Sequence, residues 1–349
     1  MKSKLKSFKR SRMLALMLLF IFSLFFCTAT DTRAENISER ESTVGANYTE
    51  AIKRMRNGFE SFEESIDISD LSILPEELGR LFADATKDTP YLFYVSNNLS
   101  YSYRNGGFVV AVKPKYTMER AEAESALEYC KGEIKKISNL LLEFKSDIER
   151  VVAAHDLICA NFTYDITLES DDLYSFLMMG SGTCQSYTWM YMAILREMGI
   201  ECSYVASDTI SHIWLAVRID GEWYYSDVTW DDPPGSEGSG EISRRHLFFS
   251  DKKADFDGYA DRYGALDVKC NSQRFDGNEL MSDIPACTLK GDADRDGEVT
   301  LRDLLLLRHQ LENDRETKLE ACRVCLDTDG NFLLDGEDAA NIRSIILGQ

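Results

Sequence analysis

Asp220-Gly221 sits between two alternating apolar runs, HIWLAVRI before it and EWYYSDVTW after it. Two adjacent residues that accept positive φ close a two-residue hairpin, the strongest short pattern for fixing strand pairing. Pairing Ile219 with Glu222 makes partner numbers sum to 441. His212 then falls opposite Thr229, and Trp214 opposite Asp227. Side chains alternate faces along a strand, so His212 and Asp227 share a face as diagonal neighbours, roughly 7 Å apart at the backbone. An imidazole and a carboxylate can hydrogen-bond over that distance. A one-residue slip would separate them onto opposite faces.

Upstream, Gly180-Ser181-Gly182-Thr183 leads into Cys184, which opens an apolar helical pattern (Tyr187, Met190, Tyr191, Ile194, Leu195, Met198) stopped by Gly199. The unsatisfied N–H groups and positive dipole of a first helical turn favour a thiolate there. Asp227 would fix the His212 tautomer and leave the other ring nitrogen to take the thiol proton. Read without partners, Cys184 is a packing cysteine and the hairpin a plain sheet edge. With the three roles in order, the segment encodes acyl transfer.

These residues resemble the transglutaminase-like superfamily of papain-like thiol enzymes, through G-T-C-Q-S-Y, H-I-W and D-G-E-W-Y-Y-S-D-V-T-W-D. The resemblance implies Cys184 as nucleophile, His212 as base and Asp227 as the orienting acid. It is specific over about residues 146–232 and weaker through His246-Leu247-Phe248-Phe249. It also implies an α+β fold in which the helix bearing the cysteine packs on an antiparallel sheet. In such a fold Trp214, Trp223 and Trp230 serve equally well as core or as walls of the thiol cleft. A degenerate, inactive relative would keep the same residues.

The ends carry different signals. Lys and Arg crowd residues 2–12, an apolar run spans Leu14–Phe26, and small residues follow. Residues 1–34 therefore read as a secretory signal peptide cleaved after Ala29 or Ala34, and the mature protein as extracellular. The apolar run is too short to span a bilayer, Phe26 argues against lipidation at Cys27, and nothing else suggests a membrane partner. A net charge of −20 over 349 residues offers no basic stripe for nucleic acid. Four histidines without a His-Glu-x-x-His pattern leave no catalytic zinc site. Cys322-x-x-Cys325 lacks a second ligand pair, so packing or a local disulfide suits it better than metal or redox work.

Residues 35–145 read as an α+β lead-in. After a flexible leader over 35–45, helices are expected at Asn47–Arg56, stopped by Asn57-Gly58, and at Pro75–Ala85. Strands are expected at Tyr91–Val95, Ser100–Arg104 and Phe108–Lys115, then a long helix over Glu119–Leu142. The capping box Ser146-x-x-Glu149 opens the catalytic domain, taken as 146–285. His155 on its first helix is expected in the core or at the surface, and His246 carries no assigned chemistry. Pro233-Pro234-Gly235-Ser236 begins a mobile loop beside the site.

Over residues 286–349 one motif occurs twice. The first copy places Asp292, Asp294, Asp296, Glu298 (through its carbonyl) and Asp303 at loop positions 1, 3, 5, 7 and 12, with Gly297 at position 6. The second places Asp327, Asp329, Asn331, Leu333 (through its carbonyl) and Asp338 likewise, with Phe332 where glycine is expected. Oxygen donors at this spacing suit two Ca2+ ions. Each loop precedes one apolar helix, Leu304–Leu311 and Ala339–Leu347, with no room for an EF-hand's leading helix before the first. Two such repeats resemble a small, all-α type I dockerin. That resemblance implies docking to a scaffoldin cohesin within a cellulosome. The unequal repeats imply a single cohesin orientation and tighter calcium binding by the first loop. Phe332, at positive φ, would weaken the second unless Gly330 absorbs the bend.

The sequence thus describes a secreted, scaffold-borne enzyme acting on peptide or carboxamide bonds, with water or an amine resolving the thioester. Two alternatives stay open. One is a non-catalytic binding module. The other is a polysaccharide hydrolase, suggested only by the company dockerins keep, since no carboxylate pair can be singled out among 59 acids.

Overall fold

The structure is a computed structural model and describes residues 37–104, 106–142, 144–232, 242–264, 268–277, 289–294, 297–312 and 323–348. The signal-peptide assignment, the loop at 233–241, Asp296 and Cys322 lie outside the described residues.

The first layer is helix on sheet. Helix α1 (Ile37–Glu60) packs against α2 (Leu78–Lys87), which follows a 3-10 turn at Pro75–Glu77. Beside them, β1 (Ile66–Asp67), β3 (Val109–Tyr116) and β2 (Val95–Tyr103) form an antiparallel sheet in the order β1-β3-β2. Ala51, Met55, Phe59, Leu81 and Val112 are the centre of its core. Two expectations change here. The helix begins well before Asn47 and runs through Asn57-Gly58, so Gly58 is not a stop. A Cβ at Gly58 would lie 2.4 Å from Ile66 Cγ1, so the glycine permits close approach of α1 to the sheet. The two expected strands over 91–104 are one strand starting at Val95 and interrupted by register shifts.

The main core gathers four helices: α3 (Arg120–Leu141), α4 (Asp147–Asn161), α5 (Leu173–Met179) and α6 (Cys184–Glu197). Ser146 caps α4 by accepting from Glu149 N, while the Glu149 carboxylate accepts from Ser146 N. Short parallel strands β4 (Thr163–Tyr164) and β5 (Ser181–Gly182) bring the chain to the start of α6. The helices cover one face of an antiparallel sheet with order β10-β6-β7-β8-β9. Its strands are β6 (Cys202–Ser207), β7 (His212–Ile219), β8 (Glu222–Ser226), β9 (Leu247–Phe249) and β10 (Tyr263–Gly264). Ile213, Leu215 and Val217 face the helices, while Trp214 and Ala216 face an aromatic cluster with Tyr225, Phe249 and Tyr259. Alternation along one strand therefore serves two cores.

The β7–β8 turn has Asp220 at φ 53° and Gly221 at φ 86°, and the register runs from Ile219↔Glu222 to Leu215↔Ser226. Pairing stops there. The expected Trp214–Asp227 and His212–Thr229 pairs do not form, because Asp227 N donates to His246 O and the backbone turns away from β7.

At the C-terminal end, α8 (Leu301–Glu312) and α10 (Gly336–Leu347) pack together around Leu304, Leu307, Leu326 and Ile342. Both helices are preceded by a loop closed by a buried aspartate. Asp303 accepts from Ala293 N and Thr300 N, and Asp338 accepts in the same way from Thr328 N and Asp335 N. The one-turn α9 (Arg323–Leu326) lies against α3, and Val324, Cys325 and Phe332 are buried in the main core. Phe332 sits at φ 63°, and Gly330 at φ 74° does not relieve it.

Candidate active site

Cys184 is the first residue of α6, with Thr183 as extended N-cap. Gly182 before it is required by space: a Cβ there would meet Phe176 Cδ2 at 2.6 Å and Ser186 Cβ at 2.7 Å. The approach is held by Thr183 N and Ser186 Oγ, both donating to Ser170 O. Thr188 Oγ1, one turn along, lies 2.8 Å from Cys184 O and 3.0 Å from Ile213 O, tying the head of α6 to β7 beside His212.

His212 is the first residue of β7, reached through a tight turn in which Ser211 has φ 50°. Its Nε2 lies 2.6 Å from Asp227 Oδ2, and the Cys184 thiol lies close enough to act on the charge of the ring. Burial opposes charge on the imidazole, but the Asp227 charge and hydrogen bond, with Cys184 adding, push His212 up to about 10. Trp230 stacks on the ring at 5.0 Å between centroids, and Trp214 lies 5.5 Å away. Buried Trp214 thus acts as core and Trp230 as a wall of the histidine. Trp223 borders the aromatic cluster without touching the triad.

Asp227 is 1% exposed and fully engaged. Oδ1 accepts from Thr229 N and Trp230 N, at 3.1 and 3.2 Å. Oδ2 accepts from Tyr259 Oη at 2.8 Å in addition to the His212 contact. The next acids anchor the turn. Asp231 lies between His155 and His246, with ring contacts of 3.3 and 3.1 Å, and accepts from His246 N and Ser243 Oγ. His155 also meets Asp156, which pairs with Arg244. Burial works against both charges, but hydrogen bonds to Asp156 and Asp231 push His155 up to about 9, and those to His155 and His246 hold Asp231 well below the usual carboxylate range. Tyr187 on α6 donates to Asp232 at 2.5 Å. The structure therefore brings Cys184, His212 and Asp227 together and braces them with groups that sequence reasoning left unused. Tyr259 gave no sequence signal; His155, expected in the core or at the surface, is fully buried between Asp156 and Asp231, and Asp231-Asp232 directly after Trp230 was a visible pattern.

A thiol at a helix start, near an imidazole that a buried carboxylate fixes, is an arrangement suited to nucleophilic acyl transfer. The family model of the transglutaminase-like superfamily matches residues 138–228, which hold all three residues. The chain thus carries a transglutaminase-like domain of mixed helix and sheet. The mouse kyphoscoliosis peptidase is 29% identical over 114 residues, spanning 27% of this chain and 17% of that protein. Among solved structures, one described as a TGase shares 14% identity, covering 45% of this chain and 48% of its own, with a TM-score of 0.27. A Cytophaga hutchinsonii protein described as a candidate cysteine protease shares 13% identity, covering 38% and 61%, with a TM-score of 0.25.

A second constellation lies in the C-terminal loops. Carboxylate oxygens of Asp292, Asp294 and Asp303 lie within 4.8 Å of one another, and so do those of Asp327, Asp329 and Asp338. Asp303 and Asp338 are fully buried, and Asp294 pairs with Arg302 at 2.9 Å. Glu298, Asn331 and Leu333 are on the same loops, Glu298 and Leu333 being exposed. Hard oxygen donors gathered at two equivalent places fit a divalent cation such as Ca2+.

Proposed function

We propose that this protein is a cysteine-type acyl-transfer enzyme acting on peptide or carboxamide bonds, with Cys184 as nucleophile, His212 as base and Asp227 as its orienting acid. The observation that supports it best is the buried His212–Asp227 contact at 2.6 Å, formed at the spot where the first residue of α6 presents a thiol to the same imidazole. With Nε2 held by Asp227, the proton that moves is the one between Nδ1 and sulfur. The Cys184 thiolate attacks the carbonyl carbon, and the free N–H groups at the start of α6 receive the oxyanion. Collapse of the tetrahedral species expels the amine, which leaves with the proton carried by His212 Nδ1. The thioester is then cleaved by water or by a second amine, deprotonated by the same nitrogen. Hydrolysis suits an exported enzyme surrounded by water, and the peptidase activity in the name of the mouse relative supports amide bonds as substrates.

The C-terminal repeats extend this reading to a secreted protein held by its dockerin-like segment on a scaffoldin cohesin. Asp292, Asp294 and Asp303, with Asp296 and the Glu298 carbonyl, would hold one Ca2+. Asp327, Asp329, Asn331 and Asp338, with the Leu333 carbonyl, would hold the other. The ions would neutralise carboxylates that otherwise repel. Incubating the mature protein with a glutamine-containing peptide, with and without a primary amine, tests the catalytic reading. Release of ammonia or cleaved peptide by wild type and not by Cys184→Ala is expected. Equal turnover by both proteins would overturn it.

A further inference from the structure

We propose that Tyr259 is a positioning residue of this thiol site, acting through Asp227. The inference rests on the triad reading and adds a residue to it. Helix α7 (Asp251–Asp257) ends at Gly258, whose φ of 91° is open to glycine and strained for other residues. That left-handed cap turns the chain so that Tyr259 N donates back to Ala254 O and the ring drops, fully buried, into the aromatic cluster. There it lies 4.4 Å from Trp230, 4.8 Å from Trp214 and 4.9 Å from Phe249, centroid to centroid. Its hydroxyl emerges at one polar atom, Asp227 Oδ2, at 2.8 Å. This is the oxygen that faces His212 Nε2.

Sharing one oxygen has two consequences. The hydroxyl fixes the carboxylate's rotation, because Oδ1 is already committed to Thr229 N and Trp230 N. It also takes part of the negative charge that would otherwise stabilise a protonated His212, so it tempers the base. Other charges near the pair do not move with it. Asp231 and Asp257 face Tyr259, the His246 ring lies 6.2 Å from it, and Cys184 and Asp227 face His212. Burial and the neighbouring Asp227 push the phenol's own ionisation far above its ordinary range, so Tyr259 stays a donor wherever the enzyme works.

The test is Tyr259→Phe, which keeps the ring packing and removes only the hydroxyl. Ring resonances of His212 followed against pH should show its midpoint rising by roughly half a unit or more, the worth of one hydrogen bond. An unchanged or lowered midpoint would overturn the inference. Should the variant fail to fold, the wild-type Tyr259 hydroxyl proton decides. Slow exchange with water supports the bond, and exchange as fast as that of an exposed tyrosine refutes it. Alkylation of wild-type Cys184 tests the enzyme reading separately. A thiol with ordinary reactivity would sink that reading and leave the titration to judge Tyr259.

Discussion

Phe332→Gly should loosen the C-terminal segment, although the sequence alone suggests the opposite. At φ 63° a phenylalanine is strained, and glycine would recover about 1 kcal/mol at that backbone position. The side chain, however, is 9% exposed and packs in the core that also holds Val324, Cys325 and the helices around the thiol site. Truncating a buried phenylalanine costs about 3–5 kcal/mol once the space it leaves is included. The difference is about 2–4 kcal/mol in favour of keeping Phe332. Gly330, whose added Cβ would lie 3.3 Å from Asn161 Oδ1, places the same loop directly against the end of α4. Amide exchange of residues 323–338, in saturating calcium, reads this out, since 2–4 kcal/mol corresponds to roughly 30- to 1000-fold faster opening. Phe332→Ala should open further still, because it keeps part of the strain and loses nearly all the contact. Unchanged or slower exchange in Phe332→Gly would show that backbone strain outweighs burial and would refute the reasoning.

Cys184→Ala should abolish turnover of any amide substrate, and His212→Ala should lower kcat by several orders of magnitude. Asp227→Ala should cost less, because it only orients the base; steady-state kinetics on the three variants checks the ranking. Stability should also follow pH in two directions. His212 and His155, pushed up to about 10 and about 9 from 6.5, contribute stability that is complete below about pH 6.5 and fades as pH rises through those values. Asp231, held below its ordinary 3.8, contributes stability present above that value and lost in stronger acid. Urea midpoints measured from pH 3 to 10 should therefore peak between the two limbs, and a midpoint still climbing at pH 10 would contradict the assignment. Calcium chelation should raise amide exchange across 297–312 and 336–348 while the sheet of the thiol domain stays protected; equal protection with and without the ion would count against the calcium sites.

Local chemistry made the hairpin legible: positive φ at Asp220 and Gly221 is a property of the two residues themselves. The same holds for the Ser146 cap and for Cys184 at a helix start. The extrapolation past Ser226 failed because β9 competes for the strand's backbone, with Asp227 N choosing His246 O. His212 and Asp227 still meet, since an imidazole and a carboxylate reach beyond the ladder. Gly58 misled because glycine serves close approach as well as termination, and only the fold shows Ile66 opposite it. The Tyr259 bond to Asp227 and the His155 contact with Asp231 were invisible for the same reason. Their partners lie 32 and 76 positions away, and no local pattern encodes such contacts. Phe332 stood out as an oddity, but its compensation comes from a core assembled more than a hundred residues upstream.

The central claim is that His212 and Asp227 make one cysteine reactive. It is tested most directly by the rate at which iodoacetamide labels each cysteine of the folded protein near neutral pH, located by peptide mass spectrometry. Cys130, Cys159, Cys202, Cys270 and Cys325 are buried or partly buried, and burial pushes the thiols of Cys130, Cys159, Cys202 and Cys270 up. The account predicts that Cys184 is labelled first and that His212→Ala slows its labelling by roughly a hundredfold or more while the others do not change. Labelling of Cys184 that is slow in wild type, or equally fast without His212, would contradict it.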